Sequence, residues 1–369
     1  MATNEFQPNW VSPPGDTILD ILREKAMSIA DFSIGMGETR LATDALLRGH
    51  AELTTKHAKK LESMFGVPCG FWLTRETQYR QDLARSKREE TTSQNQQWLS
   101  ELPIKDMVKF GWLKVNEAKR PTLTECLDFF GATSLVEWRN KFQRQQELAF
   151  FRTSSSFEQR PLAVAAWLRQ GEIEGNSQEC PNWNALKFQK NIAQIRGLSR
   201  TKSPAEFLPR LKTLCAEAGV VLAVVRAPTG CRASGAARFL TPNKAVILLS
   251  FRHLTDDHFW FTFFHEAGHL ILHAHDAVFI DGLESEATAE EEEANRFSAQ
   301  TLIPDEFRER LNALGLNPRE ILRFAKDVGI SPGIVVGQLQ NSGRVRRERL
   351  NVFKQRYTWE EIDTYLANP

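Results

Sequence analysis

Apolar residues recur at intervals of three and four along the first part of the chain, which is the spacing of a helix with one buried face. The first such pattern begins at Asp16, directly after a Pro-Pro-Gly stop, and contains Ile18 and Leu22. Further short helices are predicted, each ending at or just before a glycine, over 28–37, 39–47 and 55–65. The pattern up to position 85 therefore predicts a five-helix bundle.

The pattern changes further along the chain. Residues 86–97 are polar and lack apolar periodicity, which indicates a linker, and helical spacing returns after it. From Val220, short β-branched runs between turn residues predict a small sheet, and two helices follow over 255–274 and 287–302. The sequence thus predicts a multidomain, mainly α protein with three parts: a helical bundle (1–85), a helical middle segment (98–204) and an α+β domain (205–369).

Composition and charge narrow the function classes. With 369 residues, 41% of them hydrophobic and 25% charged, the chain resembles globular proteins and not disordered or coiled-coil ones. No apolar run approaches the roughly 18 residues of a membrane span, and the first residues lack an export signal, so we expect a cytoplasmic protein without a membrane partner. The chain has 47 basic and 46 acidic residues, so its net charge is near zero. Any binding of nucleic acid must therefore depend on a local basic surface. Five cysteines without a C-x-x-C pair indicate neither disulfides nor a thiolate zinc site.

The long predicted helix carries the motif H-E-x-x-H at positions 265–269. Because residues four apart project from one helical face, His265 and His269 can both bind one Zn²⁺. Glu266 then faces the attacking water, takes its proton and later passes it to the leaving amine. Zinc lowers the pKa of water and polarises a carbonyl, as amide hydrolysis at neutral pH requires. The alternative, two histidines without a metal, is costly in so apolar a helix.

A catalytic zinc site needs a third protein ligand. His273 continues the four-residue spacing, but eight residues of helix rise about 12 Å, so we place it beside the site as a wall or a substrate contact. Residues 290–293 are all Glu, and such a run is usually a solvated helix start. Because Glu291 and Asn295 flank the inner stripe of that helix whereas Glu293 points away, we choose Glu291 as ligand and Asn295 as the group that orients a ligand histidine.

These residues resemble the ImmA/IrrE metallopeptidases. HEAGH is followed some twenty residues later by E-x-E-A-N-x-F-x-A-x-x-L-x-P, and the similarity covers roughly residues 205–350. It implies a gluzincin-like cytoplasmic zinc endopeptidase with His265, His269 and Glu291 as zinc ligands and Glu266 as general base. It also implies cleavage of a repressor or antitoxin. Ser298 and Ile303 replace a common Ala and a common Met. The segment 330–343 looks like the small helix-turn-helix of that family. The basic stretch 344–356 is interpreted as a docked amphipathic helix because of Leu350 and Phe353, and contact with nucleic acid is the alternative.

The N-terminal segment 12–80 is similar to the helix-turn-helix domains of HigA-type antitoxins and Xre-type regulators. The resemblance implies that helix 39–47 lies in a major groove of DNA. Arg40, Thr43 and Asp44 would face base edges, and Arg48 would lie near a phosphate. Two departures weaken this interpretation: Ile29 stands where a Gln is common, and residues 16–65 hold 8 acidic against 7 basic residues. The alternative is a module for dimerisation or partner docking.

Three functional hypotheses follow. The leading one is a zinc endopeptidase fused to a DNA-binding domain, which cleaves a protein partner in a transcriptional or toxin–antitoxin circuit and has a homodimer as a candidate assembly. The second is a DNA-binding antitoxin or repressor whose peptidase-like domain is a sensor or a structural body. A zinc enzyme acting on something other than peptides is the third. The identity of the substrate, the operator and the activating signal has no signature in the sequence.

Overall fold

The computed structural model describes residues 12–114, 121–148, 160–273, 279–281 and 288–367. The chain divides into two compact units, residues 1–98 and 99–369. The helices that begin in the first unit are α1 (Pro14–Glu24), α2 (Ile29–Met36), α3 (Arg40–Leu47), α4 (Thr55–Phe65) and α5 (Cys69–Glu101). None of the helices in the described ranges is both long enough and apolar enough to cross a membrane.

Within its described residues, the second unit combines the remaining helices with four strands. The strands are β1 (Val220–Val224), β2 (Gly235–Thr241), β3 (Lys244–Leu249) and β4 (Phe279–Asp281). The helices are α6 (Ile104–Lys109), α7 (Leu123–Phe130), α8 (Leu135–Leu148), α9 (Pro161–Ser177), α10 (Ala185–Leu198), α11 (Pro204–Ala216), α12 (Asp256–Leu272), α13 (Ala289–Leu302), α14 (Arg308–Asn312), α15 (Pro318–Val328), α16 (Pro332–Asn341) and α17 (Trp359–Ala367).

The first unit is a small bundle with its own core. The buried side chains that fill it include Ile18, Phe32, Leu61 and Trp72, which come from four different helices. Helices α2, α3 and α4 each begin at a Ser or Thr whose side chain accepts a hydrogen bond from a backbone N–H three residues on, as an N-cap does. The four short helices therefore begin and end close to where the sequence predicts.

The predicted linker is wrong, because residues 86–97 lie inside α5. The first part of that helix has the buried side chains Trp72 and Tyr79. The helix then continues through polar residues whose side chains are mostly exposed. Once nucleated, a helix gains one hydrogen bond for each residue added, so polar residues without proline or glycine extend it readily. The missing apolar stripe in this stretch shows that the helix is mostly exposed to solvent. It does not show that the stretch lacks a helix.

The sheet has the order β1-β3-β2-β4, in which β1 and β3 are parallel and the other neighbours are antiparallel. Alternate residues of β1 serve opposite faces: Val221 packs with Trp167 of α9 on one face, and Leu222 belongs to the core with α11 and α12 on the other. Both faces are thus covered. Since α9 shares a core with the sheet, the domain boundary expected near residue 204 falls within the second unit.

Helix α12 lies at the centre of the second unit. It packs against the sheet, against α13 and against α16. Most of α16 is buried, including Ile334, Val335 and Leu339, so this helix is a core element. The segment 330–343, which resembles a small helix-turn-helix, contains the single helix α16, and this helix packs against α12 with most of its residues buried.

The basic stretch 344–356 does not form the docked α-helix expected for it. It contains turns and a short 3-10 helix at Asn351–Phe353, one of two such helices in the described ranges, the other being Asp305–Phe307. Leu350 and Phe353 nevertheless pack against the core, as expected of its apolar residues. Leu350 has a left-handed backbone with φ of 66°, which ends any helical path at that point.

Two aspartates at the start of α12 fasten the C-terminal segment to the core. The carboxylate of Asp256 accepts hydrogen bonds from Ser331 Oγ at 2.5 Å and from the backbone N–H of Gln355 at 3.0 Å. Asp257 pairs with Lys354 at 2.6 Å. Burial raises the pKa of Asp256 to about 6, although the hydrogen bond from Ser331 acts against this.

Replacing Asp256 with Asn is expected to favour the folded state increasingly as the pH rises. The carboxyl pKa of about 6 lies above the ordinary 3.8, so the stability contributed by Asp256 is complete below pH 4 and is lost as pH rises through 6. Between pH 5 and pH 8 the difference in unfolding free energy between Asp256→Asn and the parent should therefore change by about 1 to 2 kcal/mol in favour of the variant. The unfolding free energies are measured by urea unfolding at each pH, with hydrogen exchange of α12 peptides as the signal. A difference independent of pH contradicts the assignment.

Candidate metal centre

Helix α12 holds the two motif histidines in a dry environment. His265 and His269 are each 1% exposed. Their Nε2 atoms lie 3.0 Å apart, so both rings direct the same nitrogen to one point. The four-residue spacing produces this convergence, and the apolar residues around the motif bury it.

Helix α13 supplies the third donor. Glu291 Oε2 lies 3.1 Å from His265 Nε2, and Oε1 lies 3.4 Å from His269 Nε2. Thr288 begins the helix, and its Oγ1 accepts a hydrogen bond from the Glu291 N–H at 3.3 Å. Each of these three side chains offers one donor atom, and the three donor atoms lie within 4.8 Å of one another. Among the described residues, this is the group of His, Cys, Asp or Glu side chains that is able to hold a metal ion.

The protonation of this group fits a metal site. Burial raises the pKa of Glu291, but hydrogen bonds from His265 and His269 outweigh it and bring the pKa to about 2. Burial lowers the pKa of His269. An ionised carboxylate beside an imidazole that resists protonation is the form that binds metal. Two nitrogen donors and one carboxylate oxygen also match the donor set of catalytic zinc, with a fourth position left for water or substrate.

Asn295 contacts the first histidine on the side away from Glu291. Its Oδ1 lies 3.1 Å from His265 Nδ1, one helical turn after Glu291. If His265 Nδ1 carries the proton and donates it to Asn295, the lone pair of Nε2 is free for a metal. The structure therefore brings Asn295 to the place that the sequence predicts for it.

His273 occupies the equivalent place behind the second histidine. Its Nδ1 lies 3.0 Å from His269 Nδ1, and its Nε2 lies 3.2 Å from Glu293 Oε2. The consistent assignment has His269 Nδ1–H donating to His273 and His273 Nε2–H donating to Glu293. Glu293 points away from the metal ligands, as expected, yet it ends this chain of contacts. The sequence reasoning missed that role, since only the crossing of α12 with α13 brings the two residues together.

Glu266 lies beside the metal-binding group and is fully buried. Strand β2 passes so close that a Cβ atom built on Gly235 would come within 2.6 Å of both Glu266 Oε1 and Thr262 Cγ2. Only a glycine leaves room for the carboxylate at this point. A glycine that opens a strand carries no chemical signal of its own, so the sequence alone does not point to Gly235.

The residues expected to contact DNA lie on α3 in the first unit. Arg40, Asp44 and Arg48 are exposed, and Arg48 Nε lies 3.0 Å from Asp44 Oδ2. Thr43 is 1% exposed and belongs to the interior, so its expected role in facing a base edge is wrong. Thr43 follows the buried stripe of α3 that includes Leu46 and Leu47, at spacings of three and four.

A family model for M78 peptidases, described as the IrrE N-terminal-like domain, matches residues 220–339, roughly a third of the chain. The matched segment contains the four strands, α12 and α13, and hence the whole His–His–Glu group. It supports the ImmA/IrrE resemblance and a metallopeptidase-like function for this part of the chain. No family match covers the N-terminal segment, whose helix-turn-helix resemblance stays a prediction. No curated protein matches the chain.

Replacing Glu291 with Gln is expected to weaken Zn²⁺ binding by at least about 100-fold, because the group of three donors loses its anionic member. Asn295→Ala should have a smaller effect, of about 10- to 100-fold, because it releases His265 without removing a ligand. Competition with a chromophoric chelator measures both affinities.

Two variants serve as controls for these affinities. Glu292→Gln makes the same chemical change at an exposed position of α13, and Glu266→Gln removes a carboxylate outside the donor group. Both should bind Zn²⁺ as the parent does. Equal losses in Glu291→Gln and Glu292→Gln would refute the donor assignment.

Proposed function

We propose that this protein is a cytoplasmic zinc-dependent endopeptidase that hydrolyses a peptide bond in a protein partner. The partner is a repressor or an antitoxin, and its cleavage regulates transcription or a toxin–antitoxin circuit. The observation that carries the proposal is the convergence of His265, His269 and Glu291, with the buried carboxylate of Glu266 beside them. The family match over this segment supports a peptidase.

Each residue has a distinct task in such a reaction. His265, His269 and Glu291 would hold Zn²⁺, which supplies Lewis acidity when bound, lowering the pKa of a water molecule and polarising the scissile carbonyl. Glu266 accepts the proton of the attacking water on a carboxylate oxygen and delivers it to the departing amine nitrogen. Asn295 and His273 fix the two imidazole rings, so that their Nε2 atoms keep the same direction throughout.

Burial of Glu266 suits this proton transfer. A carboxylate withdrawn from bulk water is a stronger base toward a nearby water molecule than one that is fully solvated. Gly235 and Thr262 hold it from one side, so the side chain has little freedom to turn away from the metal-binding group. Geometry thus favours Glu266 as the general base over any carboxylate of the exposed acidic run.

We further propose that the first unit binds DNA through α3, as a homodimer. Exposed Arg40 begins that helix and exposed Arg48 directly follows it, and this observation favours the proposal. With 8 acidic and 7 basic residues over 16–65, the field of one copy is weak, so two copies are needed to give useful affinity. In the rival hypothesis this unit is the functional part, and the peptidase-like unit only senses a ligand or supports the fold.

Glu266→Gln separates the two hypotheses. In native-host cells that express the parent chain or this variant, before and after stress, new protein N-termini are compared by mass spectrometry. A peptidase should produce a cut that depends on Glu266, and loss of the general base should reduce the rate by at least about 100-fold. Glu292→Gln is the control with the same change at an exposed position. If the zinc-loaded parent produces no Glu266-dependent cut, the repressor or antitoxin hypothesis takes precedence.

A double variant, Arg40→Ala with Arg48→Ala, tests the DNA proposal. Fragments of host genomic DNA are first selected by binding to the parent protein, and affinities are then measured over a range of salt concentrations. The double variant should bind the selected fragments more weakly and should lower the salt slope by about 1 for each phosphate that it no longer neutralises. Arg346→Ala with Arg347→Ala, exposed in the second unit, is the control. Equal binding by parent and double variant contradicts DNA contact through α3.

A further inference from the structure

A small surface pocket lies next to Glu266 on the side toward the start of α12. Its lining comes from four places: Ser234 just before β2, Leu249 at the end of β3, the loop between β3 and α12, and the first two turns of α12, which contribute His258 and Thr262. Thr262 precedes Glu266 by one turn, a rise of about 6 Å. Ser234 is adjacent to Gly235, which touches Glu266. A polypeptide lying at Glu266 would therefore reach this pocket within one or two residues.

The ionisable groups that line the pocket are basic. They are Arg252, His253 and His258, and the lining contains no carboxylate. The two aspartates at the start of α12 are engaged elsewhere, since Asp256 binds Ser331 and the Gln355 backbone and Asp257 pairs with Lys354. The other lining residues are neutral: the apolar Leu249, Phe251, Leu254 and Phe259, and the hydroxyl-bearing Ser234, Thr255 and Thr262. An anionic group entering the pocket would therefore meet no lining residue of like charge.

The two imidazoles are presented as a pair. The rings of His253 and His258 stack with centroids 4.0 Å apart and planes inclined by 27°, and both residues are exposed. Arg252 Nη1 donates to the carbonyl oxygen of Arg232 at 2.5 Å, which uses one of the five donors of its guanidinium. The remaining donors give the guanidinium the capacity to hold a carboxylate.

The loop that carries Arg252 and His253 is held in a strained conformation. Phe251 and Leu254 have φ of 51° and 53°, a left-handed backbone that is strained for a residue other than glycine. Ser250 Oγ donates to the Ala233 carbonyl at 2.7 Å, and the N–H of Tyr357 donates to the Leu254 carbonyl at 2.8 Å. These hydrogen bonds fix both ends of the loop. They hold the strained backbone in place and so keep His253 against His258.

We propose that Arg252, His253 and His258 form a subsite for the carboxylate of an Asp or Glu side chain of the polypeptide substrate, close to the scissile bond. The inference rests on the proposed peptidase function and adds to it a preference for substrates with an acidic residue there. Hydrogen bonds from the guanidinium and from an imidazole N–H hold the carboxylate, while Thr262 and Ser234 form the floor between the subsite and Glu266.

The first test measures cleavage specificity. The zinc-loaded full chain is incubated with a peptide library prepared from a digested proteome, and the cut sites are read by mass spectrometry. The parent should enrich Asp and Glu at one fixed position near the cut by at least about 10-fold, a size expected for charge-assisted hydrogen bonds. Arg252→Gln with His258→Gln should abolish that enrichment, whereas Arg346→Gln with Arg347→Gln should retain it.

The second test detects binding without hydrolysis. The protein carries ¹³C-labelled histidine, and N-acetyl-glutamate amide is added while the ring signals of His253 and His258 are followed by NMR. These signals should move with saturation, and the neutral N-acetyl-glutamine amide should not move them at the same concentration. Inorganic phosphate is a separate arm, and saturation by phosphate alone would mean that the pocket selects phosphate and overturn the carboxylate assignment.

The two tests separate failure of the subsite from failure of the peptidase. If no peptide is cut but the glutamate amide shifts the two histidines, the subsite stands and the proposed hydrolysis fails. If peptides are cut without an acidic preference, or the preference survives in Arg252→Gln with His258→Gln, the subsite is refuted and the peptidase stands.

Discussion

The close crossing of α12 and α13 is the contact on which the candidate metal centre depends. Gly268, inside the H-E-x-x-H motif, makes it possible, because a Cβ there would lie 3.1 Å from Phe297 and 3.3 Å from the Cα of Ala294. At this separation α13 brings a carboxylate to the two histidines on one side and an amide to the outer nitrogen of His265 on the other. A wider crossing would leave two buried imidazoles without partners, which is a costly arrangement.

The same packing explains why α12 carries so many buried polar groups. It is covered by the sheet, α13 and α16, so its buried polar side chains need partners, and neighbouring elements supply several of them. Asp256 and Asp257 find theirs in the C-terminal segment, and His265 and His269 find theirs on α13. The C-terminal segment thus fastens the start of the helix that carries the reactive groups near its end. Stability and chemistry in this unit depend on the same helix.

Much of the site could be predicted because it is built from residues close together on two helices. A spacing of four places His265 with His269, and the same rule places Asn295 one turn after Glu291. What required the structure was the contact between elements: Glu293 behind His273, and Gly235 against Glu266. The prediction that Thr43 contacts DNA was wrong for the opposite reason. The family pattern implied an exposed position, whereas the apolar spacing of α3 places this residue inside.

The position of Gly235 shows how the sheet contributes to chemistry without supplying a reactive group. Its α-carbon closes one side of the space that holds the Glu266 carboxylate, so β2 limits where that side chain can turn. The adjoining residue, Ser234, lines the basic pocket, so a single short segment borders both the proposed general base and the proposed carboxylate subsite. A substrate chain held at that pocket would be fixed relative to Glu266 by the backbone of β2. Selectivity and proton transfer would then share one rigid support, which is the preorganisation that hydrolysis of a stable amide demands.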